Sequence, residues 1–345
     1  MTAAHSRALR AAAGLAALSV VALTSAGAGL PPTGTTAAPV ATAATTSTTA
    51  AVGPCLSAAD GHRVRAGSGL DGVDPNSLGA AGTEHAQQAE DRASARAQQR
   101  RTSSARLGKT TIDVYVHVIT SSKGQGDVSD KRVKKQIDVL NRAYAGKTSK
   151  YSTASPFSFR LRGIDRTRSS AWYRWDAPTE LQDGDDVAPK VALHRGGPDD
   201  LNLYTAALTD GLLGYATFPW ETRDGLDPRR DGVVVLGTSL PDGSARGYDR
   251  GDSATHEVGH WLGLLHTFEN GCRTPGDLVD DTPAQADGDN VFSCSKLDTC
   301  KAKGRDPVHN FMSYGDDACL TRFSKGQVAR MSEQWQLFRS PAALS

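Results

Sequence analysis

Long apolar runs are almost absent from this sequence. The stretch from Ala11 to Thr24 is too short to span a bilayer stably, and nothing after it approaches about 18 uninterrupted apolar residues, so no membrane-spanning helix is expected after processing. Excess charge of either sign is missing as well. The 39 basic side chains face 38 acidic ones, a formal net of +1, which argues against nucleic acid as a partner. Cysteine is scarce, with five in 345 residues, and none stands in a CxxC pair, which weighs against a structural zinc held by four thiolates. Large apolar side chains are thin from residue 53 to about 108. Between Pro31 and Val52 the chain is almost wholly Ala, Thr, Pro, Gly and Ser, which cannot bury a core and reads as a flexible linker. No internal repeat is visible.

What is present begins with an export signal. Arg7 and Arg10 form a basic start, Ala11 to Thr24 an apolar core, and Ala26-Gly27-Ala28 a small-residue cleavage site, so residues 1–28 read as a secretory leader and the protein as secreted and extracellular. Residues 29–108 read as a low-complexity linker and prosegment removed on maturation. Within it, Glu84 to Arg101 is rich in Ala, Gln and Arg and predicts a solvated helix without an apolar stripe for firm docking. Cys55 is the odd cysteine: either a thiolate that fills a metal's open position and keeps a precursor latent, or a free thiol. Arg100, Arg101 and Arg106 are either cleavage sites near the boundary or a solvated charge run. Residues 109–345 then form the expected folded domain.

That domain is organised around His256-Glu257-Val258-Gly259-His260-Trp261-Leu262-Gly263-Leu264-Leu265-His266, an HExxHxxGxxH pattern. Residues four apart on a helix share one face, so His256 and His260 can reach one ion with Glu257 beside them. An unbroken helix would carry His266 roughly 15 Å from His256 at about 1.5 Å per residue, far beyond a zinc–nitrogen bond of about 2 Å. The helix must therefore stop, and Gly263 stands where a left-handed turn can end it. Past that turn His266 can return as a third ligand, leaving a fourth position for water, the arrangement of a catalytic zinc. A remnant site that binds metal without turnover is the alternative.

Elsewhere the pattern is a sheet with helices. Thr111 to Ile119 is β-branched and aromatic with rough alternation, a strand in which His117 reads as packing. Ser129 can cap a helix carrying Val133, Ile137, Leu140 and Tyr144 on one face, ended by Gly146. Further strands are expected at Phe157 to Asp165, Leu201 to Tyr204, Leu213 to Phe218 and Gly232 to Leu236. At the end Ser324 and Gln327 fit a capping box, with Val328, Met331, Trp335 and Phe338 on one face of a last helix. Strands with helices, then the histidine helix, then a loop-rich tail give an α+β or α/β domain. Cys272, Cys294, Cys300 and Cys319 cluster behind the zinc motif, an even set that reads as two disulfides with three pairings open.

The long histidine pattern followed by Asn310-Phe311-Met312-Ser313-Tyr314 is the mark of metzincin proteases. Leu212 to Pro219 (LLGYATFP), His266-Thr267-Phe268 and Gly276 to Pro283 (GDLVDDTP) resemble the pappalysin family in particular, and the resemblance spans roughly residues 110–340. It implies a metzincin-like domain: a twisted sheet with a backing helix and an active-site helix above, and an irregular disulfide-linked lower subdomain. It implies a zinc endopeptidase, made as a latent precursor and acting on protein or peptide substrates, with His256, His260 and His266 as ligands, Glu257 as general base, Met312 as the floor beneath them and Tyr314 facing the oxyanion, or else packing structurally. Asp317 matches an acidic residue in the family's primed-side pocket, favouring Arg or Lys after the cleaved bond, although Asp316 is adjacent. Asp277, Val279 and Thr282 match a calcium loop, or else form a plain turn of solvated acids. Family pairing joins Cys272 with Cys300 and Cys294 with Cys319, separations of 28 and 25 residues. Ser313 and Leu320 depart from common family residues at positions that are not ligands. Two other classes remain: an exported zinc-binding interaction module without hydrolytic activity, and a zinc amidase acting on cell-wall peptides.

Overall fold

The β-branched residues of the central strand point to both sides, and both sides are covered. In the computed structural model of the chain, residues 75–99, 107–176, 184–209 and 211–344 are described; the expected leader, Cys55, Arg100, Arg101 and Arg106 lie outside the described residues. In chain order the elements are α1 (Gly79–Gln99), β1 (Thr110–Thr120), α2 (Asp130–Tyr144), β2 (Phe157–Arg168), α3 (Ser170–Tyr173), β3 (Arg174–Trp175), α4 (Val187–Leu193), β4 (Leu201–Leu208), β5 (Gly214–Ala216), β6 (Val233–Leu236), α5 (Asp252–Trp261), α6 (Lys325–Gln334) and α7 (Pro341–Leu344). Among these, no helix is long and apolar enough to cross a membrane.

The sheet runs β2-β1-β4-β6-β5, with β3 pairing against the end of β4. All pairings are parallel except β5 on β6, so the edge strand β5 runs against its neighbour. Successive strand residues face opposite sides. Ile112, Val114, Val116 and Val118 of β1 accordingly pack with Val133, Ile137 and Leu140 of α2 and with Val258 and Trp261 of α5. Ile119, on the other face, joins Trp175, Tyr204, Tyr215 and Val234. Coverage of both faces is what a mostly parallel sheet requires. His117 is fully buried in this second face, between Asp165 (2.8 Å) and Asn202 (3.0 Å) and stacked on Tyr204, a packing residue as expected.

α2 starts where Ser129 accepts from the Arg132 amide, and Gly146 follows it with positive φ. α6 carries the full capping box of Ser324 and Gln327. Its continuation, Trp335–Arg339, widens into a π-helical turn. One result differs from the single apolar face expected: Met331 and Trp335 enter the main core, whereas Phe338 joins Phe218, Trp220 and Leu265 in a separate cluster.

The other difference concerns α1. The sequence predicts a solvated helix here, yet Thr83, Ala86 and Ala89 are buried, and the two alanines pack against Phe218, Trp220, Leu265 and Phe338. Small side chains let the helix sit close, and polar contacts supply the rest. Glu90 makes a two-pronged ion pair with Arg330, and the Asn270 amide donates to Thr83 Oγ1 (3.0 Å). Apolar periodicity registers none of these. Below the sheet the chain is irregular and held by disulfides Cys272–Cys300 and Cys294–Cys319, the pairing the resemblance implied.

Candidate active site

α5 delivers two of the three histidines, and its end delivers the third. Gly263 takes φ of +90° and closes the helix in a Schellman turn: the Leu264 amide donates to Gly259 O (2.9 Å) and the Gly263 amide to His260 O (2.8 Å). A Cβ on Gly263 would also run into the Gln334 side chain, so the position demands glycine for conformation and for space.

The turn brings the rings together. His260 Nε2 lies 3.0 Å from both His256 Nε2 and His266 Nε2. Four tetrahedral ligands at zinc–nitrogen distances of about 2.0–2.1 Å stand about 3.3 Å apart, so the spacing fits one ion. Protonation fits too. His256 Nδ1 faces Phe311 O and His260 Nδ1 faces Leu264 O, each at 2.7 Å. A carbonyl only accepts, so each Nδ1 carries the proton and each Nε2 presents its lone pair inward. Burial, reinforced by His266, holds the His260 imidazole well below its ordinary pKa, keeping it in the neutral form that ligates.

The floor and walls follow from packing. Gly259 lies one residue before His260, and a Cβ there would collide with Met312 Sδ; the missing side chain admits the methionine directly under the histidines. Met312 is placed by Asn310, whose Oδ1 accepts from the Met312 amide (2.9 Å) and whose carboxamide pairs with that of Gln327 in the α6 cap. Phe268 stacks on the His266 ring at 4.8 Å, and the Tyr314 hydroxyl stands 3.2 Å from His266 Nε2. Glu257 is buried against the edge strand, where a Cβ on Gly214 would meet its Cγ at 2.7 Å.

The remaining expected residues are placed as follows. Asp317 is buried, and its Oδ2 accepts from the Arg250 (2.8 Å) and Asp252 (3.4 Å) amides at the start of α5. Asp277, Val279 and Thr282 do converge: the Thr282 hydroxyl oxygen lies within 2.8 Å of both Asp277 carboxylate oxygens and of Val279 O, with one hydrogen to donate among them. Burial pushes the Asp277 carboxyl up to about 7 against those hydrogen bonds. Spacing alone did not find Glu269, Gly214 or Asn76. Asn76 Nδ2 donates to Ala216 O and its Oδ1 accepts from the Ala216 amide, both at 2.8 Å, occupying the outer edge of β5.

Residues 198–336 match the family model described as pregnancy-associated plasma protein-A. An extracellular metalloprotease of Verticillium alfalfae is 42% identical over 235 residues, 66% of this chain and 77% of that protein. One from Pyricularia oryzae is 40% identical over 242 residues, 69% and 80% respectively. Among solved structures, a mutant of Tannerella forsythia promirolysin superposes with a TM-score of 0.59 at 27% identity, covering 76% of this chain and 92% of that one. Mature mirolysin in complex with a cleaved peptide gives 0.54 at 29%, covering 68% and 100%.

Proposed function

The chain belongs to the pappalysin family of metzincin zinc metalloendopeptidases, and on that premise we propose that it is a secreted enzyme cutting extended peptides, with His256, His260 and His266 holding zinc and Glu257 and Tyr314 carrying the proton and oxyanion steps. The observation that carries the assignment is the convergence of three inward-facing Nε2 atoms, two of them locked by backbone carbonyls, beside a buried glutamate and a tyrosine hydroxyl.

When bound there, zinc supplies Lewis acidity, polarising a substrate carbonyl and acidifying a water molecule. The Glu257 carboxylate accepts a proton from the attacking water and passes it to the departing amine nitrogen as the carbon–nitrogen bond breaks. Tyr314 donates its hydroxyl hydrogen to the oxyanion that builds up on the former carbonyl oxygen. β5 offers the main-chain hydrogen-bonding edge along which an extended peptide aligns.

Asp317 sets a preference for Arg or Lys after the scissile bond by charge pairing. Since its carboxylate also caps the start of α5, Asp317→Ala is read on the cleavage profile of protein that still melts cooperatively; an unchanged profile rejects the assignment. Latency is supported by Asn76, which uses the same edge atoms a peptide would, and by the wider coverage of the pro form than of mature mirolysin. Cys55 reinforces it, so Cys55→Ala hastens activation of the precursor; an unchanged rate rejects that role. Calcium binds at Asp277, Val279 and Thr282, supported by the convergence of three hard oxygens.

The deciding experiment incubates the matured protein with casein and a basic peptide library. Cleavage that a chelator abolishes and zinc restores supports the reading, and intact substrates after verified zinc loading overturn it.

A further inference from the structure

Two of the three histidines have Nδ1 fixed by a backbone carbonyl, whereas the third faces a carboxylate. Glu269, almost wholly buried, has Oε2 at 3.7 Å from His266 Nδ1, just past hydrogen-bond length. Its other oxygen is committed elsewhere. Oε1 accepts from the Leu78 amide (3.1 Å) and the Gly79 amide (2.8 Å), donors at the start of α1 that have no partner within the helix. Glu269 therefore stands between a helix of the expected prosegment and the third ligand.

The geometry points to competition. A carboxylate on the far nitrogen of a ligating imidazole fixes the ring and raises its basicity, and losing such support costs about 10–100-fold in metal affinity. While Glu269 caps α1, Oε2 falls short of that contact. A second tie runs the same way: Arg330 holds Glu90 of α1 with its guanidinium tip while its Nε donates to Gly263 O (2.8 Å), the carbonyl of the metal-loop turn.

We propose that Glu269 is a positioning residue shared between α1 and His266, which caps the helix while α1 is docked and closes onto His266 Nδ1 when α1 leaves, so that removing the prosegment helix tightens the metal site. The inference rests on the reading that the three histidines hold zinc. It acts through the far side of a ligand, separate from any group that fills the metal's open position. Because coupling between two binding events is reciprocal, zinc in turn loosens α1.

The test uses the full chain with Cys55→Ala throughout, which removes the thiolate proposed to fill the metal's open position, and zinc alone as probe. α1 is undocked by Ala86→Arg with Ala89→Arg, or more gently by Glu90→Ala. Zinc dissociation constants are measured by competition with a chromogenic chelator. Undocking should tighten zinc by about tenfold with Glu269 in place, and by less than about twofold with Glu269→Gln, which keeps an acceptor for α1 but no carboxylate. Hydrogen exchange gives the reverse reading: zinc should speed exchange at the Leu78 and Gly79 amides, and Glu269→Gln should remove that effect. Equal zinc affinity in docked and undocked chains, or an equal change with and without Glu269→Gln, overturns the proposal. Absence of zinc binding in every chain overturns the three-histidine reading and this inference with it.

Discussion

At the scale of single residues, Glu257 is the proposed general base, and its loss should separate chemistry from metal binding. Glu257→Gln keeps the shape buried under Gly214 and removes the proton acceptor, so kcat/KM should fall by about 10²–10⁴ while zinc content by atomic absorption stays at the wild-type level. Glu221 carries a different prediction. Its carboxylate is turned inward onto the Phe218 amide, and burial pushes its pKa up to about 7 from the ordinary 4.5. A raised folded value means the folded state holds the proton more tightly, so stability is fullest below about 4.5 and is lost as pH rises toward 7. Glu221→Gln should therefore raise Tm by about 2–4 °C at pH 8 and change it little at pH 5, read by differential scanning calorimetry at both pH values. The three histidines and Glu257 were legible in the sequence from the spacing that one ion requires, whereas Met312 and Tyr314 came only through the family resemblance. Glu269, Asn76 and Gly214 were not, because each matters through a partner distant in the chain or around a turn whose path spacing does not give.

Elements show the same division. α2, α5 and α6 could be read from caps and periodicity because local rules govern them, and the strands because β-branched alternation does. α1 could not, since its docking uses alanines and ion pairs in place of an apolar stripe. Within α5, Gly259→Ala would drive a methyl into Met312 Sδ. It should cost about 1–3 kcal/mol in urea melts and weaken zinc binding, because the methionine or the helix must move. The Cys294–Cys319 bridge closes a 25-residue separation that contains Met312 and Tyr314. Replacing both cysteines by alanine should lower stability by about 3 kcal/mol, measured by urea melts. The four cysteines were visible from the start; their pairing was not, since spacing left three connectivities and only family likeness chose among them.

Across the molecule, α2 and α5 pack on one face of a mostly parallel sheet and an irregular bridged segment follows in the chain, so that the histidines, the glutamate and the tyrosine come from both sides of a single turn at Gly263. The fold class was open in the sequence because βα alternation and the histidine helix are local signals; the antiparallel edge strand β5 was not, since three residues give no sense of direction. The proposed activity of the whole molecule is peptide-bond hydrolysis at that turn. Its most direct test is mass spectrometry of a peptide library incubated with zinc-loaded protein, wild type beside Glu257→Gln at equal metal content. Cut peptides should come from the wild type alone, lost on chelation and regained with zinc; equal cleavage by both proteins, or none by a fully matured and loaded wild type, would rule out hydrolysis at this site.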